Sequence, residues 1–146
     1  MSNPIIKTMT HRLVLYDNLS EIDRLTEFMD SLTEELGLEC ADGFNLHLAL
    51  EEACSNIIQY AYPGETGKTF CLDVETDDDK VVFTLTDSGI PFNPLESAPE
   101  VDVTLSAEDR EIGGLGIFLI KNVMHTVEYQ RRGNENVLTM TYLRTH

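Results

Sequence analysis

Two hydrophobic periods divide this chain, and their order is what most limits its fold. From Ile22 the apolar residues Leu25, Phe28, Met29, Leu32 and Leu36 recur at spacings of three and four, while Glu21, Asp23, Glu27, Asp30 and Glu34 take the other faces. This is the stripe of an amphipathic helix, with Ser20 as its expected N-cap and Gly37 as its C-cap. A second helix, capped by Asp42, is expected through Phe44, Leu48, Ala49, Ala53, Ile57 and Ala61 until Pro63 and Gly64 stop it. The remaining apolar runs are short and strand-like. Residues 11–16 suit a strand, residues 69–75 and 81–86 a hairpin around an acidic turn, and residues 127–131 and 136–143 a closing hairpin around Arg132, Gly133 and Asn134. Between the hairpins lie a long aperiodic stretch, residues 87–116, and an expected short helix over residues 115–124. Helices bracketed by strands in this order predict an α+β fold, a two-layer sandwich with a mixed, mostly antiparallel sheet and helices on one face.

Size and charge narrow the function classes. A length of 146 residues suits one domain, and the 42% of hydrophobic residues is enough to build a core. No apolar run approaches the ~20 residues of a membrane span, and the first residues have neither the apolar segment nor the cleavage pattern of a secretory signal. A cytoplasmic protein is expected. The net charge of −16 argues against a nucleic-acid backbone as partner, so a polyanionic ligand needs a dedicated local site. Cys40, Cys54 and Cys71 are an odd number at wide spacings with no zinc pattern, and are expected to be buried, reduced thiols.

Three short segments carry residues with chemical potential. In LEEACSNIIQYAY, Glu52 and Asn56 lie four apart and share one helix face, whereas Glu51 is rotated by about 100° toward solvent. Burying an unpartnered charge is costly, so a carboxylate and an amide on a core-packed helix point to an ion or ligand, although a helix-boundary position would also explain Glu52. Directly after the strand VVFTLT comes Asp87-Ser88-Gly89, where an aspartate at a strand end can accept from a donor such as an exocyclic amine and a glycine permits close approach. An ordinary turn reads the same way. Gly113-Gly114-Leu115-Gly116 opens the short helix, where free N–H groups and the positive end of the dipole suit phosphate. His47 and His125 stand isolated, and Arg131 and Arg132 at the hairpin read as a solvated turn or, alternatively, as a pair for an acidic partner.

Taken together and in this order, the segments resemble the GHKL, or Bergerat, ATP-binding fold over roughly residues 8–144. The wording LALEEACSNIIQYAY, DSGIPFNP and GGLGIFLIKNVMHTVEYQR is most similar to its anti-sigma-factor serine-protein kinase branch, the RsbW and SpoIIAB-like proteins. The resemblance implies a single histidine-kinase-like ATP-binding domain over residues 1–146 that uses ATP and Mg2+. It implies Asn56 as the magnesium ligand, Glu52 as the base, Asp87 as the acceptor for the adenine amino group, and Gly89 as the residue that lets the base lie close. Gly114, Leu115 and Gly116 match the turn whose amides meet the phosphates, Ser55 stands beside the magnesium asparagine, and Thr139 on a late strand reaches adenine through water. The implied activity is phosphorylation of a serine or threonine on a STAS-type antagonist protein, with a sigma factor or comparable regulator as the other partner, and relatives of this kind are often homodimers. A nucleotide-dependent protein-binding module without phosphotransfer is the alternative. The chain departs from the pattern before the glycine turn, where Arg110 is followed by Glu111 and Ile112, and in the acidity of residues 96–110, with Asp102, Glu108 and Asp109.

Overall fold

The computed structural model describes residues 8–97 and 112–144. Strand β1 (Met9–Tyr16) leads through a 3-10 turn into helix α1 (Ile22–Leu36), and helix α2 (Cys40–Tyr60) follows. Next come strands β2 (Thr69–Thr76) and β3 (Lys80–Asp87), a four-residue helix α3 (Pro94–Ser97), helix α4 (Ile112–Val123), and strands β4 (Thr126–Arg132) and β5 (Glu135–Leu143). The expected elements all form, with shifted ends. Asn18, not Ser20, caps the first helical segment, because its Oδ1 accepts from the Ser20 N–H at 3.0 Å. The second helix begins at Cys40 after Glu39, so Asp42 lies inside its first turn, where its charge still favours the helix dipole. Gly37 ends α1 at φ 67°, a left-handed conformation that suits glycine.

The sheet order is β1-β2-β3-β5-β4, and every neighbouring pair is antiparallel. The mixed pairing expected from the sequence is absent among the described residues. β4 does run in the direction of β3, as the crossover through α4 dictates, but β5 is hydrogen-bonded between them.

Side chains alternate across this sheet, so register assigns every residue to a face. One row crosses Leu13, Leu72, Leu85, Leu138 and Tyr129, and the next crosses Leu15, Phe70, Asp87, Asn136 and Arg131. This face carries the core: Leu15, Phe70, Leu72, Val74, Val81, Phe83, Leu85 and Met140 are buried against Leu25, Met29 and Leu32 of α1, Leu46, Leu50 and Cys54 of α2, and Ile117 and Ile120 of α4. α2 packs between α1 and α4. The opposite face carries polar rows such as Arg12, Asp73, Thr84, Thr139 and Glu128. The second row of the helix-side face is the exception to its apolar character, since Asp87 and Asn136 stand where core residues would be. Of the cysteines, Cys54 alone is buried, and burial pushes its thiol well above the ordinary range, while Cys40 is exposed and Cys71 half-buried.

Candidate functional site

The polar break in the core opens into a small recess of about 30 Å³, room for a water or two as it stands. Its walls come from the end of α2 (Asn56, Ile57) and its C-cap Ala61, the ends of β3 (Leu85, Asp87) and β5 (Asn136, Leu138), Phe92 of the following loop and Pro94 of α3. Helical spacing aims Ala53, Asn56 and Ile57 at the sheet, and the strand period aims Leu85 with Asp87 and Asn136 with Leu138 back at the helix. Two of the expected site residues, Asn56 and Asp87, therefore meet in one apolar-walled cleft. Asn56 is 7% exposed and makes no hydrogen bond to any described residue. A buried amide normally finds a partner, so its position fits one supplied by a ligand or ion.

Asp87 is 6% exposed, and its Oδ1 accepts from the Gly89 N–H at 2.9 Å and from Asn136 Nδ2 at 2.9 Å. Among the described residues nothing bonds to Oδ2, which is left to accept from a ligand. The loop after β3 is tied down behind it. Ser88 N–H donates to Tyr62 Oη at 2.8 Å, Tyr62 Oη donates to the Thr69 carbonyl at 3.0 Å, and Ile90 N–H donates to the Ala61 carbonyl at 2.9 Å. Gly89 is part of that anchoring. A Cβ there would collide with the Ala61 carbonyl oxygen and lie 2.7 Å from its carbon, and both backbone groups of Gly89 already bond within the protein.

Glu52 lies one turn before Asn56, outside the recess and toward α4. A Cβ at Gly116 would stand 2.5 Å from Glu52 Oε2, so the carboxylate is seated against a helix position that only glycine leaves open. Burial, and then the neighbouring Glu51, hold the Glu52 carboxyl above the usual carboxylate range. Glu51 turns the other way, half-buried, with Oε2 3.6 Å from Nε2 of His47, which also lies 3.1 Å from Thr26 Oγ1.

The glycine run sits inside α4, which starts at Ile112, three residues earlier than the sequence suggests. Gly114 and Leu115 belong to its first turn, where N–H groups lack intrahelical partners, and Gly116 is the next residue along. Gly116 also makes room for Glu52. Ser55, half-buried, points away from the residues that line the recess. Thr139 is a correction: it lies in register with Thr84 and Glu128 on the face of the sheet that the helices do not cover, so it cannot reach the Asp87 cleft. Arg131 is also a correction, because it does not belong to a solvated turn. Its Nη1 donates to the Gly89 carbonyl at 2.9 Å and to Asn136 Oδ1 at 3.2 Å. Arg110 and the acidic residues Asp102, Glu108 and Asp109 lie outside the described residues.

Asn136, Tyr129 and Tyr62 were missed from the sequence. The apolar alternation Leu138, Met140, Tyr142 against Thr139, Thr141 was the available signal for Asn136, since it turns even-numbered residues of β5 inward. Among the described residues no group of three or more His, Cys, Asp or Glu could hold a metal. A divalent cation here would take an amide oxygen from Asn56 and complete its shell with ligand oxygens and water, as hard cations such as magnesium do beside phosphates. No described helix is long and apolar enough to cross a membrane.

Residues 17–142 match the histidine kinase-like ATPase domain. The serine-protein kinase RsbW of Halalkalibacterium halodurans is 32% identical over 121 residues, which cover 81% of this chain and 72% of that protein. The serine/threonine-protein kinase BtrW of Bordetella bronchiseptica is 31% identical over 98 residues, 67% of this chain and 68% of its own. The solved structure of Acinetobacter baumannii histidine kinase AdeS aligns with 93% of this chain and 68% of its own at 12% identity and a TM-score of 0.48.

Proposed function

This chain belongs to the family of histidine kinase-like ATPase domains, and from that premise we propose that it is a protein kinase that binds ATP with Mg2+ and transfers the γ-phosphate to a serine or threonine of a STAS-type antagonist protein. Most of the chain acts as one such domain, in the cytoplasm, with a sigma factor as its alternative partner and a homodimer as its working state. The observation that carries this reading is the convergence of Asn56 and Asp87, from a helix and a strand end distant in sequence, on one apolar-walled recess. Relatives named serine-protein kinases support the reaction class.

In this reading the recess takes the base, with Asp87 Oδ2 accepting from its amino group. Asn56 holds the cation, which when bound shields the phosphate oxygens and favours charge transfer to the leaving group. Glu52 sits one turn up the same helix, beside the α4 turn whose Gly114 and Leu115 face the phosphates. A substrate hydroxyl attacks the γ-phosphorus, the bond to the β-phosphate oxygen breaks, ADP leaves, and the hydroxyl proton passes to Glu52. A carboxylate held above its ordinary range is a stronger base, which suits that last step.

Incubation with γ-radiolabelled ATP and each STAS-type protein of the same organism tests the proposal. Label on the partner, lost in Glu52→Gln while nucleotide still binds, is the expected result. Bound nucleotide with no transfer by the wild type would reject the kinase in favour of a nucleotide-dependent binding module.

A further inference from the structure

Asn136 is 5% exposed, and each of its polar atoms is committed. Its Nδ2 donates to Asp87 Oδ1 at 2.9 Å and to the Ile90 carbonyl at 2.7 Å. Its Oδ1 accepts from the Tyr129 hydroxyl through a short bond, from Arg131 Nη1 at 3.2 Å and from the Phe92 N–H at 3.3 Å. The donor and acceptor inventory permits one orientation only. Flipped, the amide would aim its NH2 at the Arg131 guanidinium and the Phe92 N–H, neither of which can accept. Its oxygen would then face the Asp87 carboxylate and a carbonyl.

We infer that Asn136, locked by Tyr129 and Arg131, is the positioning residue that makes this recess select a purine with a 6-amino group over one with a 6-oxo group. The inference rests on the ATP-site reading above and names what sets its base preference. Because Asn136 and Gly89 both donate to Oδ1, Asp87 is held as a pure acceptor with Oδ2 turned to the ligand. A 6-amino group offers Oδ2 a donor, while a 6-oxo group offers it a second acceptor, and two acceptors facing each other between apolar walls repel. Register makes the lock structural: Arg131, Asn136 and Asp87 stand directly across from one another on β4, β5 and β3, and Tyr129 is the next residue along β4 on the same face.

Calorimetric titration of the full chain with Mg-ATP and with Mg-ITP, which differ at that position, tests the inference. The wild type is expected to prefer ATP by roughly 100-fold or more. Asn136→Asp keeps the shape but removes the donor to Oδ1 and sets a second carboxyl against Asp87, so the two share a proton and the Asp87 carboxyl is no longer fixed with Oδ2 as a pure acceptor. The ATP to ITP ratio is expected to fall by about 10-fold or more. Tyr129→Phe removes one of the locking donors without adding charge, and its ratio is expected to fall several-fold, which keeps the test alive should Asn136→Asp fail to fold. Equal affinity of the wild type for both nucleotides, or variants that weaken both by one factor and leave the ratio unchanged, would overturn the inference and reduce the network to a structural tie. Binding of neither nucleotide by the wild type would overturn the ATP-site reading itself, and this inference with it.

Discussion

Replacing Gly116 by alanine separates folding from chemistry. Gly116 lies within α4, where alanine is more favourable than glycine by about 0.8–1.0 kcal/mol. The new methyl would stand 2.5 Å from Glu52 Oε2 and 3.2 Å from its Cδ, against contact distances of about 3.5 Å. The atom that must yield is the tip of a flexible side chain and not backbone, so the helix keeps its gain and the carboxylate withdraws by about 1 Å. For a chain of this size the melting temperature is expected to hold or rise by about 3 °C. A displacement of about 1 Å in a reacting group costs roughly 100-fold in rate, or about 2.7 kcal/mol of barrier. Thermal melts, Mg-ATP titration and a phosphotransfer time course on wild type, Gly116→Ala and Glu52→Gln would read the three quantities apart. The expected pattern is a stable variant that binds nucleotide and transfers phosphate about 100-fold more slowly. Transfer within 3-fold of wild type at unchanged stability would refute the reasoning, since the seat of Glu52 against α4 would then be irrelevant to the reaction.

Gly89→Ala is expected to do the opposite, because its methyl meets the Ala61 backbone: the loop must move, the Ile90 to Ala61 bond is lost, and the melting temperature should fall by roughly 3–10 °C. Nucleotide affinity should fall with it, and an unchanged melt would contradict the packing role. Glu52 gives a pH signature. Its folded-state value lies above its unfolded one, so the native state binds the proton more tightly, and stability present below the unfolded value is lost as pH rises through the folded one. Glu52→Gln should therefore be more stable than wild type at pH 8, by at most about 1 kcal/mol, with the gap closing near pH 4. Urea melts at the two pH values check this, and a gap independent of pH would assign the effect to packing.

The helices and the hairpin strands were legible because their signals are local: a 3.6-residue stripe through α1, an alternating run in each hairpin, and Gly37 and Pro63 as stops. Asn56 and Asp87 were legible too, as polar residues in segments whose period committed them to the core face. What escaped depends on pairing between strands far apart in sequence. Thr139 was chosen for its chemistry, but a strand position one residue off turns its side chain to the other face, and β5 presents Asn136 and Leu138 to the cleft instead. Arg131 looked like part of a turn because Gly133 follows closely. Only the β3 to β5 pairing sets it opposite Asn136 and within reach of Gly89. The two functional glycines were recognised as glycines but not for their reasons, since the Ala61 carbonyl and the Glu52 carboxylate become their neighbours only once α2 is docked.

That Asn56 and Asp87 make one magnesium-nucleotide site is tested most directly by calorimetric titration with ATP in the presence and absence of Mg2+, on wild type and Asn56→Ala. Saturable 1:1 binding is expected, weakened by about 10-fold or more when magnesium is chelated, the scale of one lost bond to a charged group. Asn56→Ala is expected to fold normally and lose the magnesium dependence. No binding heat from the wild type, or identical titrations of wild type and Asn56→Ala with and without the ion, would contradict it.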